Sequence, residues 1–101
     1  MSQRRRVARN APPRTVEIEV AEGPYAGWWA RMRVDFPAGW LIDLQSGDFG
    51  RVLAVLGRIV VEHNFPDELG EPATALDQVD VEGLLAVTEA FGEARRNLPP
   101  R

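Results

Sequence analysis

The chain has 101 residues, 45% of them apolar, so it is long enough for one domain with a small hydrophobic core. It has no cysteine, which excludes disulfide bonds, thiolate metal sites and cysteine nucleophiles. No apolar run approaches the roughly 18 residues that cross a bilayer, and no hydrophobic run follows the basic start. Neither a membrane span nor a secretory signal peptide is therefore expected.

The net charge of −3 is unevenly distributed along the chain. Residues 1–14 contain five arginines and no acidic residue, whereas the remainder carries 7 basic and 15 acidic residues, a net charge of −8. Lysine is absent, which we attribute to the coding bias of a GC-rich genome. Polarity, charge and the pair Pro12–Pro13 predict a disordered arginine-rich arm over residues 1–13. Residues 14–101 are expected to form a single small globular domain.

Two strands are predicted at the start of this domain. RTVEIEVAEG (14–23) alternates Val16, Ile18 and Val20 with two glutamates, the pattern of a half-buried strand. GWWARMRVDF (27–36) alternates less cleanly, but its length and aromatic residues favour a second strand. The short, turn-rich connection EGPYAG predicts that the two strands form a β-hairpin, which must pack against other elements to be stable.

Two helices are predicted after the hairpin. AGWLIDLQSG (38–47) is apolar, with a helical spacing that favours a short helix. Residues 49–63 show the clearest helical periodicity in the chain, with Asp48 placed to cap the start. Asn64 is placed to end this helix in a left-handed turn.

The last part of the chain is predicted to be a loop and a capped helix. FPDELGEPATA (65–75) is rich in proline and is interpreted as a loop. Asp80 is expected to cap a helix over 81–98, with Val79 and Leu84 as its hydrophobic staple. The predicted fold class is α+β, mainly α, with an N-terminal β-hairpin followed by two or three helices.

The stretch EHNFPDELGEP (62–72) raises the question of a metal or catalytic site, since it holds the sole histidine and several carboxylates. An HExxH site requires a second histidine, and the acidic residues lack the spacing of an EF-hand loop. His63 is therefore interpreted as a helix-end residue at the edge of the core. Without a GxSxG or phosphate-binding glycine motif, we predict no catalytic residue, no metal and no cofactor, and a protein that is not an enzyme.

Two groups of residues are candidates for binding. Arginines of the arm are candidates to contact the phosphates of a nucleic acid through counterion release: Arg4, Arg5, Arg6 and Arg9. The acidic remainder of the chain would repel a duplex, so nucleic acid is not the favoured partner. Aromatic residues concentrated in and after the second strand are candidates for binding a protein partner: Trp28, Trp29, Phe36 and Trp40. If Trp29 faces the core, Trp28 faces outward or packs against another element, because neighbouring residues of a strand point to opposite faces.

The order of these features, from GPYAGWWARMRV through SGDFGRVLAVLGRIVVEHNFPDELGEPA to the Asp-capped helix ending in NLPPR, resembles the small tail assembly chaperones of long-tailed bacteriophages and prophages of actinobacteria. The resemblance covers residues 15–101. It implies a mostly helical, non-enzymatic protein that binds the tape-measure protein and recruits tail-tube subunits. It also implies a location in the host cytoplasm and absence from the mature virion. No catalytic residue is carried over from the family.

Two other function classes are left open by the sequence. One is a phage accessory protein that binds nucleic acid through the arginine-rich arm. The other is a small structural component of the virion, at the head–tail junction or in the tail. The sequence also leaves open the formation of a homo-oligomer.

Overall fold

The computed structural model describes residues 12–99, which form a three-stranded antiparallel sheet packed against helices. Residues 1–11 of the predicted disordered arm lie outside this part of the chain. The regular elements are β1 (Thr15–Glu19), β2 (Trp29–Arg33), α1 (Ala38–Leu44), α2 (Phe49–Ile59), β3 (Val60–His63), a short 3-10 helix (Leu76–Gln78) and α3 (Val81–Arg96). The α+β class with an N-terminal hairpin is confirmed. Within residues 12–99, no helix combines the length and apolarity required to cross a bilayer.

The hairpin of β1 and β2 forms as the alternating pattern predicts. The strands pair antiparallel, with Thr15 opposite Arg33 and Glu19 opposite Trp29. One face carries the buried side chains Ile18, Ala30 and Met32, so the hairpin presents a continuous apolar surface to the helices. The opposite face carries the charged residues of both strands and is open to solvent.

The prediction of one helix over residues 49–63 is wrong in its last turn. α2 ends at Ile59, and Val60–His63 forms β3, which pairs antiparallel with the free edge of β2. The two β-branched residues Val60 and Val61 favour the extended conformation, and the edge of β2 supplies backbone hydrogen-bond partners. The register of this pairing shifts between Arg31 and Met32 of β2. Val61 lies opposite this shift, and about half of its surface is exposed.

Asn64 does not end a helix in a left-handed turn, because no described residue other than glycine has a positive φ. The side chain of Asn64 instead connects β3 to the start of β2. Its Oδ1 accepts a hydrogen bond from the backbone N–H of Trp29 at 2.7 Å, and its Nδ2 donates to the carbonyl of Gly27 at 3.1 Å. The backbone N–H of Asn64 donates to the Trp29 carbonyl at 3.2 Å. One side chain thus fixes the hairpin end at which the tryptophans lie.

The core lies between the sheet and the two longer helices. α3 packs across β1 and β2, while α2 packs against β3 and the 3-10 helix. Asp80 caps α3 as predicted, because its side chain accepts a hydrogen bond from the N–H of Gly83. Asp48 caps α2 in the same way through the N–H of Arg51. The predicted loop 65–75 is closed by pairing of Pro66 with Pro72.

α1 differs from the other helices in its packing. None of its seven residues is buried, although four of them are large and apolar. Its principal neighbour among the described elements is α2. The same exposure continues on both sides of α1, so that no residue from 33 to 54 is buried. We refer to residues 33–54 as the apolar segment.

Candidate partner-binding surfaces

The four aromatic residues predicted to bind a protein partner do not form one site. β2 separates them, since Trp28 and Trp29 lie at its beginning, whereas Phe36 and Trp40 follow its end. The structure therefore places one candidate surface around Trp28 and a second around Phe36 and Trp40.

Trp28, and not Trp29, lies on the core side of the sheet. Trp28 lies two and four residues before the fully buried Ala30 and Met32, so its side chain is on the same face of the sheet as theirs. It packs against the core cluster. The Trp28 ring makes an edge contact with Tyr25 at 5.0 Å and stacks on the buried Phe65 at 5.3 Å, both between ring centroids. The ring also lies directly over Gly83 of α3, where a Cβ atom would overlap it. Trp28 is thus a half-buried packing residue with one accessible edge.

His63 belongs to the same packed region. Its ring stacks on Phe65 at 4.6 Å, and its Nδ1 accepts a hydrogen bond from the Phe65 N–H at 3.0 Å. Burial lowers the pKa of His63, so the neutral form is favoured. The histidine thus packs at the edge of the core, as the sequence indicates, but from β3 and not from the end of a helix. No group of three potential metal ligands converges anywhere in residues 12–99.

The accessible edge of Trp28 faces a cleft of about 920 Å³, which we call the acidic cleft. It is formed by the loop after β3, the 3-10 helix and the start of α3. The lining residues are Trp28, Pro66, Asp67, Glu68, Leu69, Asp77, Gln78, Val79, Asp80 and Val81. Leu69 is 86% exposed, so the cleft combines carboxylates with apolar surface that is open to solvent.

Tyr25 joins the hairpin turn to this cleft. Its hydroxyl donates a hydrogen bond to Oδ2 of Asp80 at 2.5 Å and lies 3.4 Å from a carboxylate oxygen of Glu82. The hydrogen bond to Asp80, reinforced by desolvation and by both negative charges, raises the pKa of Tyr25 to about 12. Asp80 therefore both caps α3 and anchors the turn.

The second surface is a stack of aromatic rings and arginines. Phe36 and Trp40 stack with ring centroids 6.0 Å apart. The guanidinium groups of Arg33 and Arg58 lie over Trp40 at 5.1 and 5.8 Å from the ring centroid. Arg95 lies over Phe36 at 5.0 Å. These cation–π contacts cover rings that the core buries only in part.

The apolar segment extends this second surface into open solvent. Ile42 is 67% exposed and Phe49 is 47% exposed. Both residues were missed as binding candidates, because the sequence places them on helices whose apolar positions are expected to be buried. The helical pattern predicts an apolar stripe correctly, but it does not reveal that α1 packs chiefly against a single helix, α2.

Trp29 and the arginine arm contribute to neither surface within the described residues. Trp29 points to the open face of the sheet, beside the ladder in which Arg31 pairs with Glu62 at 2.7 Å and with Glu17 at 3.7 Å. The candidate phosphate contacts Arg4, Arg5, Arg6 and Arg9 lie outside the described part of the chain.

Comparison of the chain with protein-family models, with curated proteins and with solved structures finds no match. The assignment of a function therefore depends on the sequence resemblance and on the surfaces described above.

Proposed function

We propose that this chain is a tail assembly chaperone of a long-tailed bacteriophage, which binds the tape-measure protein and tail-tube subunits during tail morphogenesis. The proposal draws its partners from the sequence resemblance, whose most specific part is the run VVEHNFPDELGEP followed by the Asp-capped helix α3. The observation that carries it is the apolar segment, which exposes Ile42 and Phe49 to solvent and leaves its other large apolar side chains only partly buried.

The apolar segment has the chemistry to bind an amphipathic helix. Its large apolar residues are Val34, Phe36, Trp40, Leu41, Ile42, Leu44, Phe49, Val52 and Leu53. A partner helix laid along it would remove this surface from water, at roughly 25 cal/mol for each Å² of apolar area buried. Exposed apolar surface of this kind on a small chain favours a role in protein binding.

The arginines over Trp40 and Phe36 suit a chaperone that must remain soluble, without self-association, before it binds its partner. The guanidinium groups of Arg33, Arg58 and Arg95 cover the aromatic faces, so less of the aromatic surface is open to other molecules. The proposed role is non-enzymatic. It is exercised in the host cytoplasm, and the protein is absent from the mature virion.

Co-expression with the tape-measure protein from the same genome tests the proposal. The native chain is expected to keep the tape-measure protein soluble. The double variant Ile42→Asp/Phe49→Asp is expected to lose this effect, since two charges would be buried in the contact. Val81→Asp/Leu85→Asp is the matched control, because Val81 is 47% and Leu85 57% exposed but both lie on α3, outside the apolar segment.

Circular dichroism and thermal unfolding of both variants show whether they remain folded, as their exposure predicts. A double variant that is folded and still keeps the tape-measure protein soluble would contradict the role of the apolar segment. Gene order provides a separate check of the function itself. A tape-measure gene is expected directly downstream, with an overlapping frame, and an unrelated gene in that position would overturn the proposal.

A further inference from the structure

The contacts between rings and arginines near the end of α3 bring together positive charges from separate parts of the chain. They connect five residues in the order Arg95, Phe36, Trp40 and then Arg33 and Arg58. We call these five residues the arginine stack. The arginines come from the end of β2, from α2 and from α3, so the fold and not the sequence places them side by side. This basic cluster lies in a domain whose residues 15–101 carry a net charge of −8.

The guanidinium groups of the arginine stack are not neutralised by carboxylates of residues 12–99. Both ion pairs in that part of the chain are made by Arg31, on the open face of the sheet. The arginines of the stack contact ring faces instead, and Nε of Arg33 is buried without a hydrogen-bond partner among the described residues. A ring face attracts a guanidinium group but accepts few of its five N–H donors. The stack therefore fixes the position of these positive charges without satisfying them.

The dimensions of the arginine stack fit one face of a helix. The contacts from Arg95 through the two rings to Arg33 measure 5.0, 6.0 and 5.1 Å, so the outer guanidinium groups lie at most about 16 Å apart. This distance corresponds to about three turns of helix at roughly 5.4 Å per turn. Acidic residues three or four positions apart share one face of a helix. Two or three carboxylates of such a helix can therefore contact the guanidinium groups together.

A nucleic acid fits the arginine stack less well than an acidic helix. Phe36 and Trp40 stack on each other, and guanidinium groups lie over both rings, so little ring face is left for a base to stack on. The negative charge of the rest of the domain also repels a long polyanion. A cluster of three guanidinium groups within about 16 Å favours a short acidic segment, because carboxylates pair with guanidinium groups in bidentate geometry.

We propose that the arginine stack binds a short acidic helix of a partner protein, which presents two or three glutamates or aspartates on one face. The inference rests on the proposed function, since it adds the charge of the partner segment to a binding role argued from apolar surface. It predicts that the helix of the tape-measure protein bound by this chain has an acidic face next to its apolar face.

Fluorescence anisotropy of labelled peptides, measured with the full chain, tests the inference without any tape-measure protein. The acidic probe is an alanine-based helix of about 20 residues with glutamates three and four positions apart on one face. The neutral probe has glutamine at the same positions, since glutamine and glutamate have similar helix propensities. The acidic probe is expected to bind at least about tenfold more tightly than the neutral probe in about 50 mM NaCl, and to lose this advantage in about 500 mM NaCl.

Two charge-reversal variants on the same helix show whether the arginine stack is the binding site. Arg58→Glu is expected to weaken binding of the acidic probe by about tenfold or more, because it replaces a donor by a repelling charge. Arg51→Glu is the matched control, since Arg51 is also exposed, lies on α2 and contacts no described ring. It is expected to change the affinity by less than about threefold through the net charge alone. Circular dichroism shows whether both variants remain folded, as the exposure of both positions predicts.

The inference would be overturned by equal binding of the acidic and neutral probes, or by equal effects of the two variants. A single-stranded oligothymidine that binds more tightly than the acidic probe, with binding lost in Arg58→Glu, would also overturn it and would assign the stack to phosphates. These outcomes are separate from the chaperone function. If the acidic probe does not bind but the native chain keeps the tape-measure protein soluble, this inference alone fails. If the acidic probe binds but co-expression has no effect, the chaperone proposal fails and the preference for an acidic helix stands.

Discussion

Single side chains fix the geometry around Trp28. Gly83 leaves room for the ring on α3, Asn64 ties down the backbone at Trp29, and Tyr25 ties the turn to Asp80. The sequence indicated that the tryptophans are important but not which of them faces the core. Which face of β2 is buried depends on where the helices pack. In the sequence, a small residue such as Ala30 gives little indication that it lies at the centre of the sheet.

Gly83→Ala is expected to destabilise the fold, by about 1–3 kcal/mol, because the new methyl group would overlap the Trp28 ring. Gly57→Ala is the matched control on α2, where a Cβ atom meets nothing within 4 Å. It is expected to stabilise the chain by up to about 1 kcal/mol through helix propensity. Urea unfolding of both variants measures the difference. Equal midpoints for the two variants would show that Gly83 is not required for the packing of Trp28.

The ionisation of Tyr25 can be observed directly, since it is the sole tyrosine of the chain. Its pKa of about 12 is expected to fall toward 10.0 in Asp80→Asn, which removes the negative acceptor but keeps a good N-cap residue. The near-ultraviolet absorbance of tyrosinate during an alkaline titration measures the pKa. A pKa that is the same in the variant and in the native chain would exclude Asp80 as the principal cause of the shift.

Regular elements were predictable where their signals are local. β1 was recognised from strict alternation, and α2 and α3 from their apolar stripes and their caps Asp48 and Asp80. β3 was missed because Val60–His63 fits the helical stripe of α2 equally well. What makes it a strand is the free edge of β2, which lies some 30 residues earlier in the chain and is invisible to a local pattern.

The docking of β3 is expected to depend on pH through His63. Because burial lowers its pKa in the folded state, the unfolded chain binds the proton more readily, and stability is lost as pH falls below about 6.5. Protonation would also remove the acceptor at Nδ1 that holds the Phe65 N–H. Urea midpoints measured between about pH 7.5 and about pH 5 test this expectation. In His63→Gln the slope over this window is expected to flatten, and an unchanged slope would assign the pH dependence to other groups.

At the scale of the whole molecule, the described residues have two chemically different ends. The start of α3, with the acidic cleft, is negative, and its end brings together Arg14, Arg33 and Arg95 near Phe36. The uneven charge along the sequence suggested only that the arm and the domain differ. The fold adds that the arm enters the domain at the end opposite to the cleft, and this separation in space could not be derived from composition.

The attachment of α1 has a consequence for how the chain responds to thermal motion. Because α1 packs chiefly on α2 and has no fully buried residue, its release exposes only half-buried side chains, among them Trp40 and Leu44, which pack against the core. The free energy of this local opening is therefore smaller than that of global unfolding. We therefore expect α1 to open before the sheet and α3 do. Such an opening would change the orientation of the exposed Ile42 while the sheet and α3 keep their structure.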